Sequence, residues 1–260
     1  FIAAMSEIMG DFELAVKESS RVLLVRGEVL PATLDDCMLG ALLCDGREIL
    51  GETRVGGSAS RIERVFLRPA RPSPLPEALR AIEEADAIVL GPGSLYTSVM
   101  PNLLVNGVAE AIAASEAVKI YVCNVMTEPG ETQGYTAQDH VAAIFRHAGP
   151  DVVDWIIVND APISDGMMRK YSYEGAEPVG WDRQVLESMG IRVVEAPVAS
   201  QTELVRHDPD AIAAEVMALA LPRRPVLQPG EPADEHGRNE PCEAREQCDG
   251  HGVASSGYPD

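Results

Sequence analysis

The sequence predicts an α/β protein built on a mostly parallel sheet with helices on both faces. Segments 87–90, 119–125 and 154–158 are near-continuous apolar runs, the pattern of strands buried on both sides. Segments 76–85, 103–115 and 136–147 alternate with them at helical spacing, which makes βαβ units. A length of 260 residues with 46% hydrophobic content allows a sizeable core.

In chain order, the helical spacing of Phe1-Ile-Ala-Ala-Met-Ser-Glu-Ile-Met begins at the first residue with no capping residue before it. This reads as a fragment cut inside a helix. Residues 20–30 read as a short pair of strands. Segments 37–43 and 47–50 flank Asp45-Gly46, a hairpin signal because that pair accepts positive φ. Residues 62–67 alternate apolar and charged side chains and read as a strand. After the three βαβ repeats, residues 181–189 read as a helix and 191–196 as a strand. The last helix spans 208–220, with Asp208 at its N-cap and Pro209 at its first position.

The formal net charge of −20 argues against nucleic-acid binding, which needs a basic surface. It leaves room for an anionic small ligand held by a local nest of backbone N–H groups. There is no apolar run of about 18 residues, so no membrane span is expected, and no signal peptide is visible. Cys37, Cys44 and Cys123 lie in apolar stretches and read as small buried residues. An odd count of five cysteines without framework spacing points to a reducing, cytosolic setting.

The domain is expected to end at 221. Residues 222–260 hold four arginines against eight acidic side chains and read as a disordered acidic tail rich in Pro and Gly. Its Cys242 and Cys248 are too far apart for a zinc knuckle with His236 and His251. No metal site is assigned.

Ligands of parallel sheets bind beyond the carboxyl ends of the strands, which selects three loops. The first is Gly91-Pro-Gly-Ser-Leu-Tyr-Thr-Ser, a strand–turn–helix junction of the kind that grips phosphate through free N–H groups and the helix dipole. It matches neither a Walker A motif nor G-x-G-x-x-G. Ser94, Tyr96, Thr97 and Ser98 place four hydroxyls in five residues, more than a plain turn needs. Ser94 as a nucleophile would need an activating histidine. Asp139 and His140 are helix neighbours that point in different directions, which disfavours a triad. The second loop, residues 124–136, is long and polar, as a binding loop or lid would be. The third, residues 159–165, shows only ordinary turn chemistry. The candidate ligand contacts are Gly91, Gly93, Ser94, Tyr96, Thr97, Ser98 and Asn102, with Asn124, Thr127, Gly130, Glu131 and Thr132 opposite them. No catalytic residue is assigned.

The runs Gly91–Val105 and Tyr121–Val141 closely resemble the YvcK group of the CofD-like superfamily, the gluconeogenesis factors. Residues 20–33, Tyr171 with Glu174-Gly-Ala-Glu-Pro-Val, and Arg206-His207-Asp208 also fit, so the resemblance covers residues 1–221. It implies a Rossmann-like fold in a cytoplasmic bacterial protein. It further implies binding of a UDP-sugar such as UDP-N-acetylglucosamine, in support of gluconeogenic growth, cell-wall synthesis and cell shape. Cell-wall or cytoskeletal proteins and a second copy of the chain are the implied protein partners. Tyr171 and Arg206 look like the tyrosine and arginine of the UDP-sugar site, with Tyr173 the alternative to Tyr171. The CofD branch implies a different activity: magnesium-dependent transfer of 2-phospho-L-lactate from a nucleotide diphosphate to a deazaflavin. Magnesium is therefore the one cofactor candidate. Family members open with a strand, a Gly-Gly-Gly-Thr-Gly loop and an Asp-Asp-Gly-Gly-Ser segment. The present sequence lacks all three, so the expected fold is short of its first strand and glycine-rich loop.

Overall fold

A computed structural model describes residues 2–22, 27–58 and 60–221. Its centre is a four-stranded parallel sheet, β4 (Ala87–Leu90), β5 (Val118–Val122), β6 (Trp155–Asn159) and β7 (Arg192–Ala196), in the spatial order β4-β5-β6-β7. Side chains alternate across it. Tyr121, Cys123, Ile156, Val158 and Val193 point to one core, and Ile120, Val122 and Ile157 to another.

Strand order equals chain order, so each right-handed crossover steps the same way and leaves its helix on the same face. That face carries α5 (Met100–Leu103), α6 (Val108–Ala114), α7 (Ala137–Ala148) and α9 (Arg183–Ser188). The final helix, α10 (Pro209–Ala220), covers the opposite face, where Ile212 packs with Ile120, Val122 and Ile157. Helices therefore lie on both faces of a Rossmann-like sheet, with most of them on one. Asp208 Oδ1 accepts from Asp210 N and Ala211 N, both at 3.0 Å, so it caps α10 as its sequence predicts.

A separate antiparallel sheet has the order β2-β1-β3, with β1 (Met38–Leu43), β2 (Glu48–Leu50) and β3 (Ile62–Arg68). The expected hairpin turn is present: Gly46 sits at φ 83° and donates to Leu43 O at 2.9 Å. Short α3 (Glu52–Gly56) follows β2, and α4 (Pro76–Glu83) precedes β4. Leu39, Ala41, Leu43, Val65 and Leu67 join the α5–α7 core.

The remaining elements depart from expectation for local reasons. The opening helix is two: α1 (Ile2–Met9) and α2 (Phe12–Val22) part at Gly10, φ 66°. Residues 20–22 thus end a helix and are not a strand, 27–30 are irregular, and 23–26 lie outside the described residues. The expected helix 103–115 breaks after α5, because Gly107 is left-handed (φ 81°) and starts α6 afresh. Helix α8 (Asp165–Tyr173) and the two-stranded β8 (Ala199–Gln201) and β9 (Val205–His207) form where no element was expected. Cys123 is buried as predicted, but Cys44 is exposed at the hairpin corner and Cys37 half-buried. The tail from 222 lies outside the described residues. Among the described residues no helix is long and apolar enough to cross a membrane.

Candidate ligand-binding site

The first loop leaves β4 at Gly91, whose φ of 81° turns the chain; a side chain there would stand 3.2 Å from Val122 O. Ser94 O then accepts from both Ser98 N (2.9 Å) and Val99 N (3.0 Å), which opens one π-helical turn, Leu95–Val99, ahead of α5. The turn is fixed from the second loop. Glu131 accepts from Tyr96 N at 3.0 Å and from Thr97 Oγ1 at 2.7 Å. Burial pushes the Glu131 carboxyl above its usual range, against these two bonds. Gly130 (φ 87°) lies so close to α3 that an added Cβ would stand 2.5 Å from Gly56 O.

The second loop holds itself as well. Glu128 N donates to Thr132 Oγ1 at 2.9 Å, and Asn124 Nδ2 donates to Glu128 Oε1 at 3.1 Å. Thr127 bonds Glu177 through both its N–H (2.7 Å) and its Oγ1 (3.0 Å). Thr136 and Asp139 form a capping box for α7. His140 Nδ1 lies 2.8 Å from Thr136 O, and burial lowers the pKa of this ring. Asp139 is therefore committed to Thr136 and not to His140, so the two do not form the base half of a triad.

Between these loops, α8 and β9 lies a cavity of about 470 Å³ at the carboxyl ends of β4 and β5. This is within the usual size of small-ligand sites. Pro92, Gly93, Asn124, Thr127, Glu128, Tyr171, Glu174, Arg206 and His207 line it. The Tyr171 hydroxyl donates to Val205 O (3.3 Å) and accepts from Val205 N (3.0 Å), which docks β9 on α8. Tyr173, the alternative, is 91% exposed and does not line the cavity. Arg206 is exposed and has no ion-pair partner among the described residues. His207 Nε2 stands 3.1 Å from Cys123 O, where an Nε2–H donates to the carbonyl. The Cys123 thiol, enclosed beneath, is pushed up to about 12 by burial.

The fourteen candidate contacts divide by place. Gly93, Asn124, Thr127, Tyr171 and Arg206 line this cavity. Gly91, Ser98 and Asn102 line an adjoining apolar groove along the edge of β4 that is unpaired among the described residues. Ser94, Thr97 and Gly130 shape the loops, while Tyr96, Glu131 and Thr132 are buried inside them. Tyr96 OH faces Tyr135 OH at 3.0 Å, within the core. Sequence reasoning missed Glu128, Glu174 and His207 as lining residues. Each adjoins a residue it did weigh, and only the packing of α8 and β9 shows which of them face the ligand space.

Among the described residues no three His, Cys, Asp or Glu side chains are grouped to hold a metal ion. Glu128 and Glu174 are the carboxylates that line the cavity.

Fold and cavity together define a Rossmann-like α/β protein with a cavity of ligand size beyond its sheet. The family model for 2-phospho-L-lactate transferase CofD matches residues 1–199, and the chain belongs to this family. The gluconeogenesis factor of Bacillus subtilis is 46% identical over 219 residues, 84% of this chain and 69% of that protein. A Nostoc relative is 49% identical over 216 residues, and the chain spans only 47% of its length. The crystal structure of a UPF0052-family protein from Bacillus halodurans superposes with a TM-score of 0.80 at 45% identity, covering 83% of this chain and 70% of that one.

Proposed function

We propose that the chain binds a UDP-sugar of the UDP-N-acetylglucosamine kind and acts as a regulatory protein, a gluconeogenesis factor. In this reading it is cytoplasmic and serves gluconeogenic growth, cell-wall synthesis and cell shape, through cell-wall or cytoskeletal partners and self-association. One observation carries the proposal. The Gly-Pro-Gly turn, the Asn124–Pro129 segment, Tyr171 and an uncommitted Arg206 converge on a single cavity of ligand size. Arg206 offers the diphosphate a charge-assisted donor pair, and Tyr171 offers a flat apolar face. The names of the relatives support the regulatory role.

Titration calorimetry tests it. UDP-N-acetylglucosamine should bind the full chain saturably, at one site; absence of binding heat and of any competition would overturn the reading.

A second reading has its own support in the match to the CofD transferase model. It predicts magnesium-dependent turnover of a nucleotide-linked phospholactate with a deazaflavin acceptor. Turnover under those conditions would replace the regulatory reading; its absence would leave binding without transfer.

A further inference from the structure

Helix α8 and the ribbon β8–β9 stand apart from the packing of the main sheet. No residue of α8 is fully buried. Val125, Met126 and Val205 form the buried centre of a small apolar cluster, separate from the two cores on the sheet. Ile163, Met167, Tyr171 and Ala199 complete it. A helix of nine residues and a ribbon of two three-residue strands are each marginal alone in water. Each therefore leans on the other.

Three side chains make the join. Tyr171 OH bonds Val205 N (3.0 Å) and Val205 O (3.3 Å). Lys170 Nζ donates to Glu203 O at 2.7 Å. Gln201 Oε1 accepts from Ser164 N, and Gln201 Nε2 donates to Pro162 O, both at 2.8 Å. The hydrogen bonds to the sheet side lie at the ends of these segments. They are Asp160 N to Ala196 O (3.1 Å), Glu177 N to Thr127 Oγ1 (3.0 Å), His207 Nε2 to Cys123 O (3.1 Å) and Asp208 N to Val198 O (2.8 Å). Gly175, left-handed at φ 76°, joins α8 to the tie at Glu177.

Between these ties the helix and ribbon face cavities. Tyr171, Glu174 and Arg206 line the one described above, opposite Gly93 and Asn124. Ile163, Asp165 and Met168 line a second, of about 400 Å³, opposite Cys123 and Asn159. A close-packed seam resists movement because any shift forfeits contacts. A seam that is largely cavity has few contacts to lose, and a few residues at the segment ends suffice as hinges.

We propose that residues 162–175 and 199–207 form one cap, which opens and closes as a single body and closes on bound ligand. Closure carries Tyr171 and Arg206 together toward the Gly-Pro-Gly turn, so the flat apolar face and the cation reach the ligand in one movement. The inference rests on the UDP-sugar reading above and adds to it how the site admits and holds its ligand.

Hydrogen exchange of the full chain, read by mass spectrometry with and without saturating UDP-N-acetylglucosamine, tests the cap. Amides of one cooperative unit exchange through a shared opening, so a ligand that closes it slows them alike. Amides of 168–173 and of 200–206 should slow by the same factor, about 10-fold or more. Slowing confined to the ribbon, with α8 unchanged while ligand is bound, overturns the cap. Gln201 and Lys170 line neither cavity. Without ligand, Gln201→Ala should quicken exchange in α8, and Lys170→Ala should quicken it in the ribbon, each about 3-fold or more. If each substitution is felt only in its own element, the single body is overturned. If calorimetry finds no binding of UDP-N-acetylglucosamine, the UDP-sugar reading fails, and the two variants alone decide whether helix and ribbon move together.

Discussion

The carboxylate of Glu131 accepts the Thr97 hydroxyl at 2.7 Å, across 34 residues of chain. With the further bond from Tyr96 N, the second loop holds the first in its π-helical turn. Glu131 thus acts on the cavity by positioning one wall against the other.

Replacing this residue should separate shape from charge. Glu131→Ala leaves Tyr96 N and Thr97 Oγ1 unpaired in a buried place, at a cost of about 2–4 kcal/mol. Glu131→Gln keeps one acceptor oxygen, for Tyr96 N, and turns an N–H toward Thr97 Oγ1, which can accept it, so it should cost less. Chemical denaturation of both variants checks the order.

The same group sets a pH dependence. Its folded-state pKa is raised, so it contributes stability below the ordinary carboxylate range and loses it as pH rises through the raised value. Relative to Glu131→Gln, the wild type should be comparatively more stable at pH 4 than at pH 7. Melting temperatures of the pair across that range measure it, and a constant difference would contradict the assignment.

His147 should respond in the opposite sense. Its Nδ1 faces Ala143 O at 2.7 Å, and its Nε2 accepts from Val65 N at 3.0 Å, so the folded ring is neutral. Burial lowers its pKa. The stability it gives is present above the ordinary histidine value and is lost as pH falls below it. Protonation removes the acceptor of the Val65 amide. Nitrogen NMR should find this imidazole still neutral at pH 6, and exchange of the Val65 amide should quicken, beyond the intrinsic pH effect, toward pH 5.

Gly130→Ala tests the seam between the second loop and α3. The residue sits at φ 87°, and its Cβ would stand 2.5 Å from Gly56 O. Backbone strain and overlap together should cost about 2–4 kcal/mol. A loss of under about 0.5 kcal/mol in denaturant unfolding would show that the seam gives way easily.

The sequence made the parallel strands legible because burial on both faces writes itself as unbroken apolar runs, as at Ile120–Val122 and Ile156–Val158. Helix α8 was hidden for the converse reason: no residue of Asp165–Tyr173 is fully buried, so no apolar stripe marks it. Residue 107 carried the break between α5 and α6, but a glycine within a helical pattern does not announce a left-handed φ. At the site, the loops themselves were legible and the direction of their side chains was not. Tyr96, Glu131 and Thr132 look like ligand contacts by type, yet they turn inward to hold the loops together. Glu128 and His207 were passed over for want of the tertiary packing that brings β9 to the second loop.

Arg206 is the proposed partner of the diphosphate. It is exposed and unpaired among the described residues, so Arg206→Ala should leave the melting temperature unchanged within about 1 °C, since surface changes of this kind are near neutral. A charge-assisted bond to phosphate is worth about 1.5–3 kcal/mol, so affinity for UDP-N-acetylglucosamine should fall about 10- to 100-fold. Titration calorimetry of the wild type and Arg206→Ala, side by side, is the most direct test. Weakened binding by a fully folded variant is the predicted result, and equal affinity in the two proteins would contradict the placement of the diphosphate in this cavity.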